Sequence, residues 1–453
     1  MFLFYVLSGS PGAQSARPAG CQTAAMTAAG PHNSSHDSHH GGPNGGPNGG
    51  PDLAALLADI EDAERTLRGI ARTTPMEASR WLADRVGGPV HLKCENLQRA
   101  GSFKIRGAYV RISRLSQAER ARGVVAASAG NHAQGVALAA RLLDTRATVF
   151  MPFGAPIPKE EATRSYGADV RFHGHTIDEA LVAARQYSEE TGAVFIHPFD
   201  HADIVAGQGT LGLEILEQCP DVGTVLVSTG GGGLVAGIAA ALAGRGSKAR
   251  VVGVQAAGAA AYPPSLAAGH PVPVERMQTM ADGIAVGCPG GVPFEVVRRW
   301  VAGVITVSEE SLSRSLLLLL ERGKLLVEPA GAAAVAAALD APGAFEPPVV
   351  AVLSGGNIDP LLLMRVLRHG MIAAGRYLSL RVCVPDQPGG LAALLRQLAE
   401  VDANVLDVVH QRTGAGLHLG DVDVALQLET RGKHHREEIL HRLRLAGYTV
   451  NFS

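Results

Sequence analysis

Apolar positions along this chain follow two different rhythms. From residue 52 to about residue 370, short runs that are largely apolar alternate with longer stretches in which apolar residues recur every three or four positions. The runs at His91 to Lys93, Val124 to Ala127, Ala147 to Met151, Asp169 to Phe172, Ala193 to His197, Val225 to Ser228, Arg250 to Gln255 and Val349 to Ser354 predict strands. Several carry no polar alternation, the pattern of strands covered on both faces. Between them lie helical patterns such as Leu53, Leu56, Leu57 and Ile60, a stretch closed by the turn Arg72-Thr73-Thr74-Pro75. Strand and helix in alternation predict an α/β fold built on parallel sheets.

The second rhythm begins near residue 377. Leu378, Leu380, Val382 and Val384 alternate with more polar neighbours, as in a strand with one buried face. Pro385-Asp386-Gln387-Pro388-Gly389 then turns into a helix whose Leu391, Leu394, Leu395 and Leu398 share a side. Strand patterns at Asn404 to His410 and Val422 to Leu428, a helix near Glu437 to Leu445 and a last strand at Tyr448 to Phe452 complete a βαββαβ order, a split ferredoxin-like unit.

Composition narrows the class. A chain of 453 residues has room for roughly three domain-sized units. A net charge of -2 leaves no electrostatic footprint for nucleic acid or an acidic membrane. The five cysteines, Cys21, Cys94, Cys219, Cys288 and Cys383, form no pair spaced as a metal or redox motif, which predicts a reducing cytoplasm and no disulfide framework. The leucines at 316 to 320 read as core, too few to cross a bilayer. Residues 1 to 50 read as a disordered leader, with an apolar start at Met1 to Leu7, a Gly, Pro, Asn, Ser and His-rich stretch after residue 30, and Met26 as an alternative start. His32, His36, His39 and His40 in that stretch read as composition, not as a metal site.

Candidate chemistry centres on Lys104, within Cys94-Glu95-Asn96-Leu97-Gln98-Arg99-Ala100-Gly101-Ser102-Phe103-Lys104-Ile105-Arg106-Gly107-Ala108. A lysine buried among apolar residues tends to lose its proton, and a neutral amine attacks an aldehyde. Three glycine-bearing turns follow, each after a predicted strand. Ser128-Ala129-Gly130-Asn131-His132 opens a helix, where free backbone N–H groups meet an anion. Gly230-Gly231-Gly232-Gly233-Leu234 lets the backbone close around a phosphate. Ser354-Gly355-Gly356-Asn357 ends a predicted parallel strand at its carboxyl edge, where open α/β sheets bind ligands.

With these four segments in this order, residues 53 to 370 resemble the fold-type II pyridoxal-phosphate enzymes, in particular their serine and threonine dehydratases and serine racemases. The C-terminal segment, chiefly Asp386 to Gly390 and Asn404, resembles an ACT domain. The resemblance implies a two-lobed, tryptophan synthase β-like catalytic domain over residues 52–370, the small lobe (about 121–198) inserted in the large one and the cofactor between them. It implies an ACT regulatory domain over residues 377–453. Lys104 is then the Schiff-base lysine and the base at Cα, with Phe103 beside the cofactor ring. Asn131 would meet the pyridoxal 3'-oxygen, the backbone of Gly230, Gly231, Gly232, Gly233 and Leu234 would grip the phosphate, and Ser354 would face the pyridine nitrogen. Ser128, Ala129, Gly130, Asn131 and His132 would take the substrate carboxylate.

The implied reaction is loss of water and then ammonia from threonine, giving 2-oxobutanoate, in a cytoplasmic homo-oligomer, a dimer or tetramer. Serine or 3-hydroxyaspartate as substrate, or a non-catalytic amino-acid sensor, remain alternatives. A neutral hydroxyl at Ser354 leaves the ring nitrogen unprotonated, which favours elimination. Ala129 stands where the family's racemases carry a serine, so a proton donor on the opposite face is missing. Gln255 stands where relatives often place a cation-binding glutamate, so no metal residues are assigned. His132 reads as a loop-shaping residue. Two roles stay open for Glu328, lining the ring or capping a helix, and two for Asp282 and Gly283, substrate contact or turn. The ACT segment either binds an amino-acid effector or only joins subunits.

Overall fold

The structure is a computed structural model and describes residues 51–412, 418 and 420–452. The leader, with Cys21 and its histidines, lies outside the described residues. Six strands form the large sheet in the order Met76–Ala78, Val90–Lys93, Val349–Val352, Thr224–Ser228, Arg250–Ala256, Gly303–Val307. All neighbours run parallel except the antiparallel edge strand Met76–Ala78. A smaller, wholly parallel sheet has the order Asp169–Phe172, Ala147–Met151, Val124–Ala127, Val194–Phe195. Its strands fall in the chain between Val90–Lys93 and Thr224–Ser228, so the smaller lobe is an insertion in the larger.

The unbroken apolar runs have a simple cause. Thr224–Ser228 and Val349–Val352 are buried at every position. On one face of the sheet Val225, Val227, Val350 and Val352 pack with the helices Leu53–Leu67, Ala202–Gln218 and Gly233–Gly244. On the other Leu226, Val349 and Ala351 pack with Glu309–Leu318 and the alanine-rich Pro329–Asp340. Small residues bring the helices close: a Cβ on Gly237 would lie 2.5 Å from the Gly209 nitrogen.

The third sheet is antiparallel, in the order Asn404–Gln411, Asp421–Glu429, Tyr377–Pro385, Thr449–Phe452. With Gly390–Ala399 and Lys433–Leu445 it forms the expected βαββαβ unit around Leu380, Val382, Leu394, Leu398, Val424, Leu426 and Ile439. Two strands escape the sequence pattern, Met76–Ala78 and Gly303–Val307, both at sheet edges where few positions are buried. The run predicted at Ala193 to His197 is a strand only over Val194–Phe195. The residues after it bend toward the cleft instead.

Candidate active site

Lys104 is the first residue of the helix Lys104–Ser113. Two residues on, the buried Arg106 guanidinium meets Glu95 at 2.8 Å and Glu214 at 2.7 Å, and Glu214 also meets Lys93 at 2.7 Å. These buried charges fix the helix on the sheet, and read from the chain alone they pass for ordinary surface residues. The Lys104 Nζ donates to the Pro198 carbonyl at 3.0 Å and lies 5.1 Å from the centre of the Phe103 ring. Burial pulls its pKa down to about 8, against a smaller opposing pull from Glu328.

The turn after Val349–Val352 is stitched to the lysine tract. The Phe103 amide donates to the Ser354 carbonyl at 3.2 Å, the Gly356 amide to the Gly101 carbonyl at 2.9 Å, and Ser102 bridges Gly355. Asn357 Nδ2 donates to the Ala100 carbonyl at 2.7 Å and to Asn131 Oδ1 at 2.8 Å, tying in the small lobe. Asn131 Nδ2 in turn donates to Glu328 Oε1 at 2.5 Å. Glu328 begins the helix Pro329–Asp340 but makes no side-chain cap there, so the capping role falls away. Burial first, and Asp282 second, raise its pKa to about 7.

Ser128 to His132 lead into the helix Asn131–Leu142. Gly130 is its N-cap and supplies no side-chain cap, which leaves the first-turn donors for an anion. His132 is buried, its ring nitrogen 2.8 Å from the Ile196 carbonyl, and burial lowers its pKa to about 3. A carbonyl only accepts, so Nε2 carries the proton and the ring is neutral.

The turn Gly230 to Gly233 ends Thr224–Ser228 and opens Gly233–Gly244, again with no side-chain cap. Gly232 has φ of 102°, and a Cβ there would lie 1.8 Å from the Tyr262 hydroxyl. A Cβ on Gly231 would lie 2.3 Å from the Phe199 ring. Only glycine fits this cradle, and its uncapped helix start suits a phosphate. The segment His197 to Asp200 joins the cradle to the lysine. Pro198 accepts from Lys104, Phe199 covers Gly231, and Asp200 Oδ1 accepts from the Val292 amide at 2.8 Å. Sequence reading gave no role to Pro198, Phe199 or Asp200, whose sole signal was a place just after a predicted strand, and it quoted Asn357 within its turn without assigning the side chain a role.

A buried amine of lowered pKa, a backbone anion cradle and a second anion site over Asn131 fit an aldehyde cofactor with a phosphate and an amino-acid substrate. Gln255, to which no metal role was assigned, is buried. Gln255 Oε1 already accepts from the Tyr262 amide at 2.9 Å, while Nε2 is buried without a partner among the described residues.

Comparison with known proteins agrees with this geometry. Residues 67–355 match the family described as pyridoxal-phosphate dependent enzyme. The L-threonine ammonia-lyase of Thermotoga maritima is 45% identical over 87% of this chain and 98% of its own length. Threonine deaminase isoform 2 of Solanum lycopersicum superposes with a TM-score of 0.68 at 37% identity, covering 72% of this chain and 95% of that one. Maize serine racemase gives 0.65 at 34% identity, over 70% of this chain and 98% of that one. The chain therefore belongs to the family of pyridoxal-phosphate-dependent enzymes.

Proposed function

We propose that the chain is an L-threonine ammonia-lyase, converting L-threonine to 2-oxobutanoate and ammonia. The observation that carries the reading is the Lys104 amine, buried and lowered to about 8, set between an uncapped glycine cradle and an uncapped helix start. Pyridoxal phosphate, when bound, supplies the electron sink that makes the substrate Cα–H acidic. Gly230 to Leu234 would hold the phosphate, Phe103 would lie beside the ring, Asn131 would meet the 3'-oxygen and Ser354 the ring nitrogen. The Nδ2 of Asn131 has a second hydrogen beyond the one it gives Glu328, so both roles are compatible. The donors of Ser128 to His132 take the substrate carboxylate, which turns Cα toward Lys104. The Lys104 amine accepts the Cα proton, and its lowered pKa leaves it neutral often enough to do so near neutral pH. Ala129 offers no hydroxyl to return a proton from the other face, which favours elimination over racemisation.

The C-terminal unit is read as an ACT domain that binds an amino-acid effector. A cavity of about 560 Å³ lined by Asp386, Gln387, Pro388, Leu391, Leu395 and Arg412 supports this reading. The enzyme works as a cytoplasmic homo-oligomer, a reading supported by the free, buried cysteines Cys94 and Cys219 and by the habit of ACT domains to bind ligand between copies. The deciding experiment follows 2-oxobutanoate from L-threonine beside pyruvate from L-serine, in wild type and Lys104→Ala with bound cofactor. Rapid 2-oxobutanoate, slower pyruvate and neither product from the variant are expected. No oxo acid from the cofactor-loaded wild type would overturn the proposal.

A further inference from the structure

Lys159 is a charged residue that lies outside every candidate motif. It lies on the small-lobe helix Ile157–Ser165 and is only 6% exposed. Charged side chains are rarely buried to that extent unless paired. Its partner, Asp282 of the large lobe, lies 123 residues further along the chain, and Nζ meets Oδ2 at 2.6 Å. The turn carrying Asp282 is itself anchored: Thr279 Oγ1 donates to Glu309 Oε1 at 2.6 Å and the Met280 amide to Glu309 Oε2 at 2.9 Å. The same turn flanks both halves of the site. A Cβ on Gly283 would lie 3.6 Å from Glu328 Oε1, and one on Gly230 would lie 3.2 Å from the Ile284 Cα. On the small-lobe side, the Lys159 ammonium lies 4.0 Å from where a Gly130 Cβ would project.

We propose that the Lys159–Asp282 ion pair is a clasp between the lobes, and that Lys159 is thereby a positioning residue for substrate. The pair holds the small lobe, with its loop Ser128 to His132, against the side of the site that carries Glu328 and the turn at Gly230. The assignment rests on the proposed amino-acid chemistry only in that the loop is taken to receive a carboxylate. With the clasp open, part of the substrate's binding energy goes into drawing the lobes together, so apparent affinity falls. Once the lobes meet, the reacting groups are unchanged, so turnover is kept.

The test measures KM and kcat for L-threonine in Lys159→Met, Asp282→Asn, the double variant and the reversed pair Lys159→Asp with Asp282→Lys, all cofactor-loaded. Each single variant raises KM by about three- to tenfold with kcat within about twofold, and the double variant is no worse than either single one. The reversed pair recovers at least part of the loss. Hydrogen exchange of the loaded proteins is the second readout, and it needs no turnover. Amides of Ser128 to His132 and of residues 279 to 284 exchange faster in both single variants, with the cofactor absorbance unchanged. Opposite KM shifts in the two single variants, additive losses in the double one, or unaltered exchange in both segments would each overturn the clasp. A wild type inactive on threonine but with exchange altered as expected would instead sink the substrate assignment and leave the clasp standing.

Discussion

Lys104 and Glu328 are both displaced toward neutrality by the same dry cleft, from opposite ends of the pH scale. For Lys104, a pKa of about 8 in place of 10.5 makes the neutral fraction at pH 7 roughly 300-fold larger than for an exposed lysine. Capture of pyridoxal phosphate by cofactor-free protein needs that neutral amine. Its rate, followed by absorbance, should rise with pH and level off just above 8, where an exposed lysine would keep gaining past 10. For Glu328 the folded pKa of about 7 lies above the ordinary 4.5. Between those values the folded state holds a proton that the unfolded state has lost, so stability falls as pH rises through the window. Glu328→Gln keeps an oxygen for the Asn131 amide but has no such titration. In denaturant unfolding of cofactor-free protein, wild type should lose on the order of 3 kcal/mol relative to the variant between pH 4.5 and pH 8. Equal pH profiles would show that Glu328 ionises as an exposed carboxylate.

At the scale of elements, the glycine cradle is the part most tightly bound to its residue types. Gly232→Ala places a methyl against the Tyr262 hydroxyl at a φ of 102°, so the turn must reshape. A loss of about 1 to 3 kcal/mol in unfolding free energy is expected, with a larger fractional loss of cofactor affinity in a fluorescence titration. A variant that binds cofactor normally would mean that the phosphate is held elsewhere. This cradle was legible in the chain because glycine density records backbone geometry directly. The strands Thr224–Ser228 and Val349–Val352 were legible because burial on both faces leaves no polar position in their core. Met76–Ala78 and Gly303–Val307 were not, since an edge strand is partly exposed and its pattern fades. Asn357, Lys159 and Arg106 were equally illegible as partners. Each is defined by a neighbour more than ten residues away in the chain, and no local spacing encodes such a pairing.

Among the described residues, the C-terminal sheet keeps a core apart from those of the two parallel sheets. The C-terminal sheet closes around its own apolar cluster, and polar contacts link it back to the helix Pro360–Ala373 and beyond. They include the Arg376–Glu321 ion pair and the Thr430 hydroxyl on the Gly375 carbonyl. Two cores joined this way should unfold in two calorimetric transitions. Leu394, fully buried in the C-terminal core, identifies which is which: Leu394→Ala should lower one transition, by about 2 to 5 kcal/mol, and leave the other in place. An amino-acid effector bound by that unit must stabilise the same transition, by about 2.7 kcal/mol at a hundred times its dissociation constant. Isoleucine and valine, titrated with threonine absent, separate binding at the C-terminal unit from binding at the cleft, because the cleft belongs to the transition that Leu394→Ala does not move. If every amino acid that shifts a transition shifts only that second one, the C-terminal unit joins subunits and senses nothing. If isoleucine or valine raises the first, coupling to Lys104 has two routes, the helix Pro360–Ala373, which leads from the cleft's last strand into the ACT-like sheet, and the Arg376–Glu321 ion pair.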